Sequence, residues 1–344
     1  MDVLYSFVDI NNERLNILAQ ENIFTNILNF VSIDNISVVD RFCNDILPRI
    51  HHNVKCFIFD PIFMERILLA TDYPNLTKLT IAHFQKEIAS NYFTKGRNRV
   101  IDGTYVQRNI LDYMPQLRSF TFYICTYINL NVLSYKLSSE DIQQTLINNG
   151  QQHVRSMASY VTNIVSLPLG IRTACSIFSL PFKFNYIQDI GNNLPNIVFN
   201  YVIYLVIEDI TPFEHEFFMR IARSFPLLKH LCIQNKESQK LDGLMTFSPD
   251  NCQLRSIIEY PHLTILDVIR AHKDYVEQFL NETKTFVPCL MEFAVSCVDD
   301  LKAVTKDFTK EETRRNCAKV TKITTTGGMV HSEDLCLYFP SLYK

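Results

Sequence analysis

The stretch Tyr73-Pro74-Asn75-Leu76-Thr77-Lys78-Leu79-Thr80-Ile81 joins a proline bend to a short alternating apolar pattern. Its apolar residues stand at the first, fourth, seventh and ninth positions, and Pro stands at the second. The same phrase returns at residues 114–122, 225–233, 260–268 and 287–295, and a truncated copy stands at 339–342. Internal repetition of this kind predicts a stacked repeat protein that offers a surface, rather than an enzyme with a pocket.

The proline in each phrase separates a helix from a strand. Pro cannot extend a helix and biases the preceding residue away from helical dihedral angles, so each phrase should hold a helix end, a bend and a strand. Helix signals upstream are Asp60-Pro61, residues 214–224, the spacing of Tyr275, Val276, Phe279 and Leu280, and two capping boxes, Thr211-Pro212-Phe213-Glu214 and Thr309 to Glu312. Helices that alternate with strands in this way predict a parallel α/β fold with right-handed crossovers.

Other segments carry the strand pattern without the proline. They are Val54/Phe57/Phe59, Val202/Leu205/Ile207, Val320/Ile323/Thr325 and, more weakly, Val154/Met157/Ser159. Residues 166–195 contain Leu167-Pro168 and Leu180-Pro181 and are expected to form loops or irregular turns. Residues 1–45 are expected to form a helical cap, with residues 23–31 helical, and residues 46–344 to form a curved solenoid with its strands on the concave face.

Composition excludes several classes of protein. The net charge of −3 does not favour nucleic acid or an anionic membrane. We expect no signal peptide, because no basic region followed by an apolar run opens the chain, and no membrane span. The ten cysteines show no CxxC pair, which is typical of core residues in a reducing compartment and predicts a cytoplasmic or nuclear protein.

No set of residues supports catalysis, a cofactor or a metal. His51-His52 has no further ligand at suitable spacing, and Glu214-His215-Glu216 lacks the second histidine of a zinc-protease helix. Cys289 and Cys297 cannot be assigned to a nucleophile and its base from the sequence. We therefore predict that the protein is not an enzyme.

The strand residues between the apolar positions are expected to face outward on the concave side. The candidate protein-binding residues are Lys78, Thr80, Tyr123, Tyr204, Glu208, His230, Gln234, Asp267, Glu292 and Lys322. Tyr123, Tyr204, His230 and Asp267 lead this group, because aromatic residues dominate interface energies and polar groups set specificity. The alternative is that these residues are ordinary solvent-facing positions of a sheet. Apolar residues such as Val206 and Cys232 in the same rows predict that part of the face is covered.

These residues resemble a known family. The Leu-x-x-Leu-x-Leu-like strands are similar to those of irregular, long-repeat leucine-rich-repeat proteins. The opening Asp2-Val3-Leu4-Tyr5-Ser6-Phe7-Val8-Asp9-Ile10-Asn11-Asn12-Glu13-Arg14-Leu15-Asn16 resembles the last part of an F-box. Met64-Glu65-Arg66-Ile67-Leu68-Leu69-Ala70 and Glu214-His215-Glu216-Phe217-Phe218 resemble segments of F-box proteins with such repeats.

The resemblance implies the substrate receptor of an SCF-type cullin–RING ubiquitin ligase. In that family the F-box helices dock on a Skp-type adaptor, and the repeats hold the protein to be ubiquitinated. The adaptor-facing residues would be Leu4, Phe7 and Ile10. The Leu-Pro-x-Glu-type helix that opens an F-box would lie before Met1, so we expect either a truncated start or a lost adaptor interface. The alternative function is an interaction scaffold with no ligase role.

Overall fold

Parallel strands that follow bends are the main elements of the fold. A computed structural model of the 344-residue chain describes residues 25–31, 33, 35–82, 101–129, 139–148, 153–162, 171–240, 256–326 and 333–342. The chain packs into two compact units, Met1–Ala158 with Thr173–Pro181 and Ser159–Arg172 with Phe182–Lys344.

The first sheet has six strands in the order β1-β2-β3-β4-β6-β5. They are β1 Ile27–Asn29, β2 Cys56–Phe59, β3 Lys78–Ala82, β4 Ser119–Asn129, β5 Val154–Thr162 and β6 Ile171–Ser179. The pairs from β1 to β4 are parallel, and their first residues, Ile27, Cys56, Lys78 and Ser119, lie side by side. The helix predicted for residues 23–31 is wrong at Ile27–Asn29, where the chain forms β1, and residues 23 and 24 lie outside the described residues.

The helices of the first unit pack their apolar faces on this sheet. They are α1 Ile36–Arg41, α2 Leu47–Ile50, α3 Met64–Leu68, α4 Gly103–Asn109 and α5 Ser139–Asn148. A π-helical segment, Phe42–Ile46, joins α1 to α2. The Asp60 carboxylate accepts a hydrogen bond from the Ile62 amide at 3.0 Å and starts the 3₁₀ turn Pro61–Phe63 that leads into α3. This confirms the helix start predicted at Asp60-Pro61.

The second sheet has six strands in the order β7-β8-β9-β11-β13-β14, and all its neighbouring pairs are parallel. They are β7 Tyr186–Ile190, β8 Tyr204–Glu208, β9 His230–Asn235, β11 Ile265–Ala271, β13 Glu292–Val295 and β14 Lys322–Thr325. Two short strands, β10 Ile258–Glu259 and β12 Thr285–Phe286, pair with each other in parallel.

The helices of the second unit alternate with these strands. They are α6 His215–Ser224, α7 Lys273–Leu280, α8 Val298–Thr305, α9 Glu311–Cys317 and α10 Glu333–Tyr338. Phe217, Phe218 and Ile221 of α6 are almost fully buried, as are Tyr275, Val276, Phe279 and Leu280 of α7. The apolar spacing therefore identified the buried faces of both helices.

Both predicted capping boxes are wrong. Helix α6 begins at His215, and its N-cap Glu214 makes no side-chain capping bond. The Phe213 amide instead donates to the Tyr275 hydroxyl at 3.0 Å, so a distant residue satisfies it. Helix α9 begins at Glu311, while the Thr309 hydroxyl donates to the Lys306 carbonyl at 2.5 Å. Local pattern alone could not reveal these competing partners.

The bend is the same wherever the phrase occurs. In the first full copy the Leu76 amide donates to the Tyr73 carbonyl, three residues earlier. The same bond forms from Leu117 to Met114, Leu228 to Phe225, Leu263 to Tyr260, Leu290 to Val287 and Leu342 to Phe339. It also forms from Val54 to His51, Val202 to Phe199 and Val320 to Cys317, where no proline is present. The three strands predicted after these residues are confirmed.

A second repeated hydrogen bond joins each bend to the next one. The Lys229 carbonyl accepts the amides of both Thr264 and Ile265, at 2.8 and 2.9 Å. Such a shared carbonyl just before a strand is found at Asn26, Lys55 and Thr77 in the first sheet, and at Asn185, Ile203, Lys229, Thr264 and Met291 in the second. The strands β2, β3, β4, β8, β9, β11, β13 and β14 are therefore each positioned by the preceding strand of their sheet at their first residue.

The prediction of loops between residues 166 and 195 also needs correction. In the described part of this stretch the chain forms β6 and β7. Residues 173–179 of β6 are all buried, so the strand shows no alternation of apolar and polar side chains. A strand covered on both faces cannot be recognised from a period of two. The parallel α/β class is confirmed, while the boundaries at 1–45 and 46–344 stay a prediction.

Candidate functional site

Equivalent residues of the second sheet form rows across its strands. The parallel register places Tyr204 beside His230, His230 beside Ile265, Ile265 beside Glu292 and Glu292 beside Lys322. Tyr186 of β7 lies next to Tyr204 at the start of this row. The following apolar residues, including Leu205, Leu231 and Leu266, are fully buried. Because side chains alternate along a strand, the row from Tyr186 to Lys322 lies on the face opposite that core.

The aromatic end of this row is closely packed. The Tyr186 and Tyr204 rings have centroids 5.1 Å apart, and the Tyr204 and His230 rings lie 4.2 Å apart in an edge-to-face arrangement. Val206 and Cys232 are 3 % exposed and form a small apolar cluster with Tyr186. The prediction that part of this face is covered from solvent is therefore confirmed at its aromatic end.

The other end of the row is polar and more open. The Lys322 ammonium contacts the Glu292 carboxylate at 2.8 Å, and their side chains are 63 % and 43 % exposed. In the next row on the same face, the Asp267 carboxylate of β11 accepts the Ile269 amide at 3.1 Å, and Asp267 is half-buried. An ion pair this exposed contributes little to stability, so these groups remain available for contacts with another molecule.

The next two candidates differ in access. Gln234 is half-buried and directs its amide toward the Cys232 sulfur, at 3.8 Å. Glu208 lies beside Gln234 in the register, but it is only 6 % exposed. Gln234 is thus open to a partner, whereas the predicted exposure of Glu208 is wrong.

The three candidate residues of the first sheet also differ in their exposure to solvent. Lys78 is exposed and Thr80 is half-buried. Tyr123 is fully buried, which contradicts its prediction as an exposed contact residue. Residues 122–126 of β4 are all buried, so this long strand is covered on both faces at that point. An interior strand of this kind has no solvent-facing row.

One aromatic member of the site was missed. Tyr186 precedes the buried Ile187 just as Tyr204 precedes Leu205 and His230 precedes Leu231. That local arrangement was the available signal, but the irregular strand spacing around it hid the repeat. The proposed adaptor-facing residues Leu4, Phe7 and Ile10 lie outside the described residues.

The buried cysteines are poor candidates for nucleophiles. Burial raises the pKa of the Cys175 thiol to about 12. Burial also raises the pKa of Cys43 to about 11, and the Asp40 carboxylate adds to that shift. The pKa of Cys317 is raised by burial as well. Since the thiolate is the reactive form, these thiols are inert near neutral pH.

A small surface pocket lies elsewhere in the first unit. It has a volume of about 250 Å³ and is lined by Asp40, Cys43, Asn44, Arg66, Leu69 and Ala70. The Arg66 guanidinium donates to the Asp40 carboxylate at 2.7 Å, so the two charges there are paired. Within the described ranges, no group of three or more His, Cys, Asp or Glu side chains could hold a metal ion.

Comparison with known proteins adds no relative. A scan against protein families and a search of curated proteins each find no match to this chain. None of the helices in the described part of the chain is both long and apolar enough to cross a membrane.

Proposed function

We propose that this chain is a non-catalytic protein-recognition module with a leucine-rich-repeat-like solenoid architecture. The observation that carries the proposal is the row of aligned side chains across β8, β9, β11, β13 and β14. Rows of this kind present many independent side chains at fixed spacing. A folded partner or an extended segment can contact several of them together.

The contact surface is the open part of the sheet face that carries this row and the two rows after it. Asp267, Glu292, Lys322 and Gln234 retain exposed area, while Val206, Cys232 and Glu208 are covered. Tyr204 and His230 lie at the boundary and are half-buried. Partly buried aromatic residues beside polar groups are typical of interface centres, since they combine large contact area with directional hydrogen bonds.

Photocrosslinking tests this surface. A benzophenone amino acid would replace Asp267, Glu292 or Lys322, one at a time, in the full chain inside cells. Matched controls would carry it at Lys302 or Glu311, which are exposed residues on helices α8 and α9. We expect one shared protein adduct from these three positions and its absence from the controls. Equal adducts from both sets would contradict the proposed surface.

The ligase role is the more specific part of the proposal. On the strength of the F-box resemblance alone, the chain would place a protein substrate near the ubiquitin-transferring subunits. It would act by raising the effective concentration of the substrate near those subunits and would not itself catalyse the transfer. A Skp-type adaptor and a cullin would be its other partners, and the cytoplasm or nucleus its location.

Co-purification with a recombinant adaptor–cullin complex tests the ligase role separately. The chain that begins at Met1 would be compared with a version extended upstream of Met1 and with Leu4→Asp, Phe7→Asp and Ile10→Asp variants of each. Binding that these substitutions abolish supports the receptor role. Binding by neither version, together with row-specific crosslinks, would leave an interaction scaffold with no ligase role.

A further inference from the structure

The strand β11 contains a β-bulge where it pairs with its neighbour β9. Asp267 pairs with Cys232 and Arg270 pairs with Gln234, so two residues of β11 lie opposite one residue of β9 between these pairs. The Asp267 carboxylate stabilises the bulge, because it accepts the Ile269 amide at 3.1 Å. Bulges are rare in parallel sheets and are frequent beside functional sites, where they redirect a side chain.

The bulge turns Arg270 onto the sheet face that carries the contact surface. Side chains alternate along a regular strand, so without the extra residue Arg270 would lie on the core side with Leu266 and Val268. Those two side chains are at most 1 % exposed. The bulge reverses the alternation, and Arg270 is exposed beside the half-buried Gln234. The backbone irregularity therefore brings a cation to a surface that a regular strand would have left without it.

The Arg270 guanidinium has no hydrogen-bond or ion-pair partner within the part of the chain that the structure describes. The other cation among the described strands of this sheet, Lys322, is paired with Glu292 at 2.8 Å. Glu208 belongs to the same row as Gln234, but it lies on the strand beyond it and is only 6 % exposed. An unpaired guanidinium beside an amide is suited to a carboxylate, because Arg binds carboxylates through two parallel hydrogen bonds.

We propose that Arg270 and Gln234 bind the carboxylate of an Asp or Glu side chain in the protein partner of this contact surface. The inference rests on the proposed function and specifies the chemistry of its partner. Charge favours a carboxylate over a phosphate, since a phosphate carries nearly two negative charges and is typically bound by a cluster of Arg residues. Arg270 brings one unpaired positive charge, and the Asp267 carboxylate on the same strand would repel a dianion.

Photocrosslinking in cells tests the role of Arg270. A benzophenone amino acid would replace Thr324, an exposed and uncharged residue of the same face, in the full chain. This chain would be compared with its Arg270→Gln variant and with Arg223→Gln, a control at an exposed arginine on α6. We expect the yield of the partner adduct to fall roughly tenfold with Arg270→Gln and to stay the same with Arg223→Gln.

The two possible failures of this experiment differ. Equal adduct yields from all three chains would overturn the role of Arg270 and leave the proposed surface intact. If neither Thr324 nor the three positions tested above gave a shared adduct, the proposed function would be wrong and this inference would fall with it.

The partner that the adduct identifies provides the chemical test. Mass spectrometry locates the attached segment, and the purified partner, labelled with fluorescein, would be titrated with the full chain and followed by anisotropy. We expect an Asp or Glu in that segment whose change to Asn or Gln weakens binding roughly tenfold. A change of that residue to Lys should be rescued by Arg270→Glu, because the swap restores opposite charges. Binding that requires phosphorylation of the segment, or a segment with no such acidic residue, would overturn the proposal.

A pair of substitutions at Asp267 tests whether the bulge positions Arg270. Asp267→Asn keeps an oxygen that can accept the Ile269 amide, whereas Asp267→Ala removes it. Both variants lose the same negative charge, so a difference between them reports the position of Arg270. We expect Asp267→Asn to bind the partner roughly threefold or more tightly than Asp267→Ala, with circular dichroism showing that both variants fold. Equal affinities would show that the bulge does not position Arg270 for binding.

Discussion

At the scale of single residues, buried polar side chains fix the geometry of the second unit. Asn316 is 2 % exposed, and its amide nitrogen lies 3.0, 3.2 and 2.6 Å from the carbonyls of Phe279, Leu280 and Thr285. Its carbonyl oxygen accepts the Val287 amide at 3.2 Å. One side chain thus holds the end of α7, the strand β12 and the start of the next bend.

We expect Asn316→Ala to reduce the free energy of unfolding by about 2–4 kcal/mol, since it leaves buried backbone groups without partners. Urea denaturation followed by circular dichroism would measure this loss. Lys319→Ala, at an exposed position just beyond the same helix, is the control and should change stability by less than about 0.5 kcal/mol. Equal effects of the two changes would contradict the bridging role of Asn316.

Two adjacent residues of β3 test the strand register directly. Leu79 is fully buried and Lys78 is exposed. Leu79→Asp places an unpaired charge in the core and should cost more than about 3 kcal/mol, whereas Lys78→Asp should cost less than about 1 kcal/mol. Thermal melts of both variants would show the difference. Comparable melting temperatures would mean that the side chains are assigned to the wrong faces.

At the scale of elements, a charged cluster links α7 to the segment before α9. The Glu277 carboxylate lies 3.1 Å from the Lys310 ammonium and 3.9 Å from that of Lys284. Although partial burial acts to raise its pKa, the Lys310 hydrogen bond and the two positive charges hold the pKa of Glu277 below its ordinary value. The folded state therefore favours the ionised carboxylate.

This shift predicts a specific dependence of stability on pH. The Glu277 contribution is complete above its unfolded pKa of about 4.3 and is lost as the pH falls through the lower folded value. The urea midpoint of the natural chain should exceed that of Glu277→Gln at pH 7, and the difference should shrink below about pH 4. Glu311→Gln, on an exposed residue nearby, is the control. A difference in urea midpoint that does not change with pH would rule out a stabilising ion pair between Glu277 and the two lysines.

Elements also show what the sequence could and could not predict. The bends were predictable because Pro74, Pro226 and their equivalents exclude helix and the apolar residues behind them must face a core. The capping of α6 could not be predicted, because the Phe213 amide donates its hydrogen bond to the hydroxyl of Tyr275, a residue distant in sequence. Tyr123 and Glu208 were assigned to an open face, but alternation along a strand identifies a face without telling what covers it.

At the scale of the whole molecule, charge sets the expected range of partners. Lys and Arg total 33 against 36 Asp and Glu, and the pI is about 6.3. We expect no salt-dependent binding to single-stranded RNA or duplex DNA at about 50 mM salt, because binding requires a continuous basic surface. Fluorescence anisotropy over a salt series would measure it. A micromolar affinity that weakens as salt rises would contradict the proposed function as a protein-recognition module.

The shared carbonyl before each strand has a consequence for how such a chain can change over evolutionary time. The segment from Lys55 to Thr77 is much shorter than the segment from Lys229 to Thr264, yet both end in the same pair of amide bonds. Alignment of a strand depends on those bonds and not on the length of the connection before it. Insertions and deletions in the connections should therefore be tolerated. Homologous chains can then diverge in length while the register between neighbouring strands is kept.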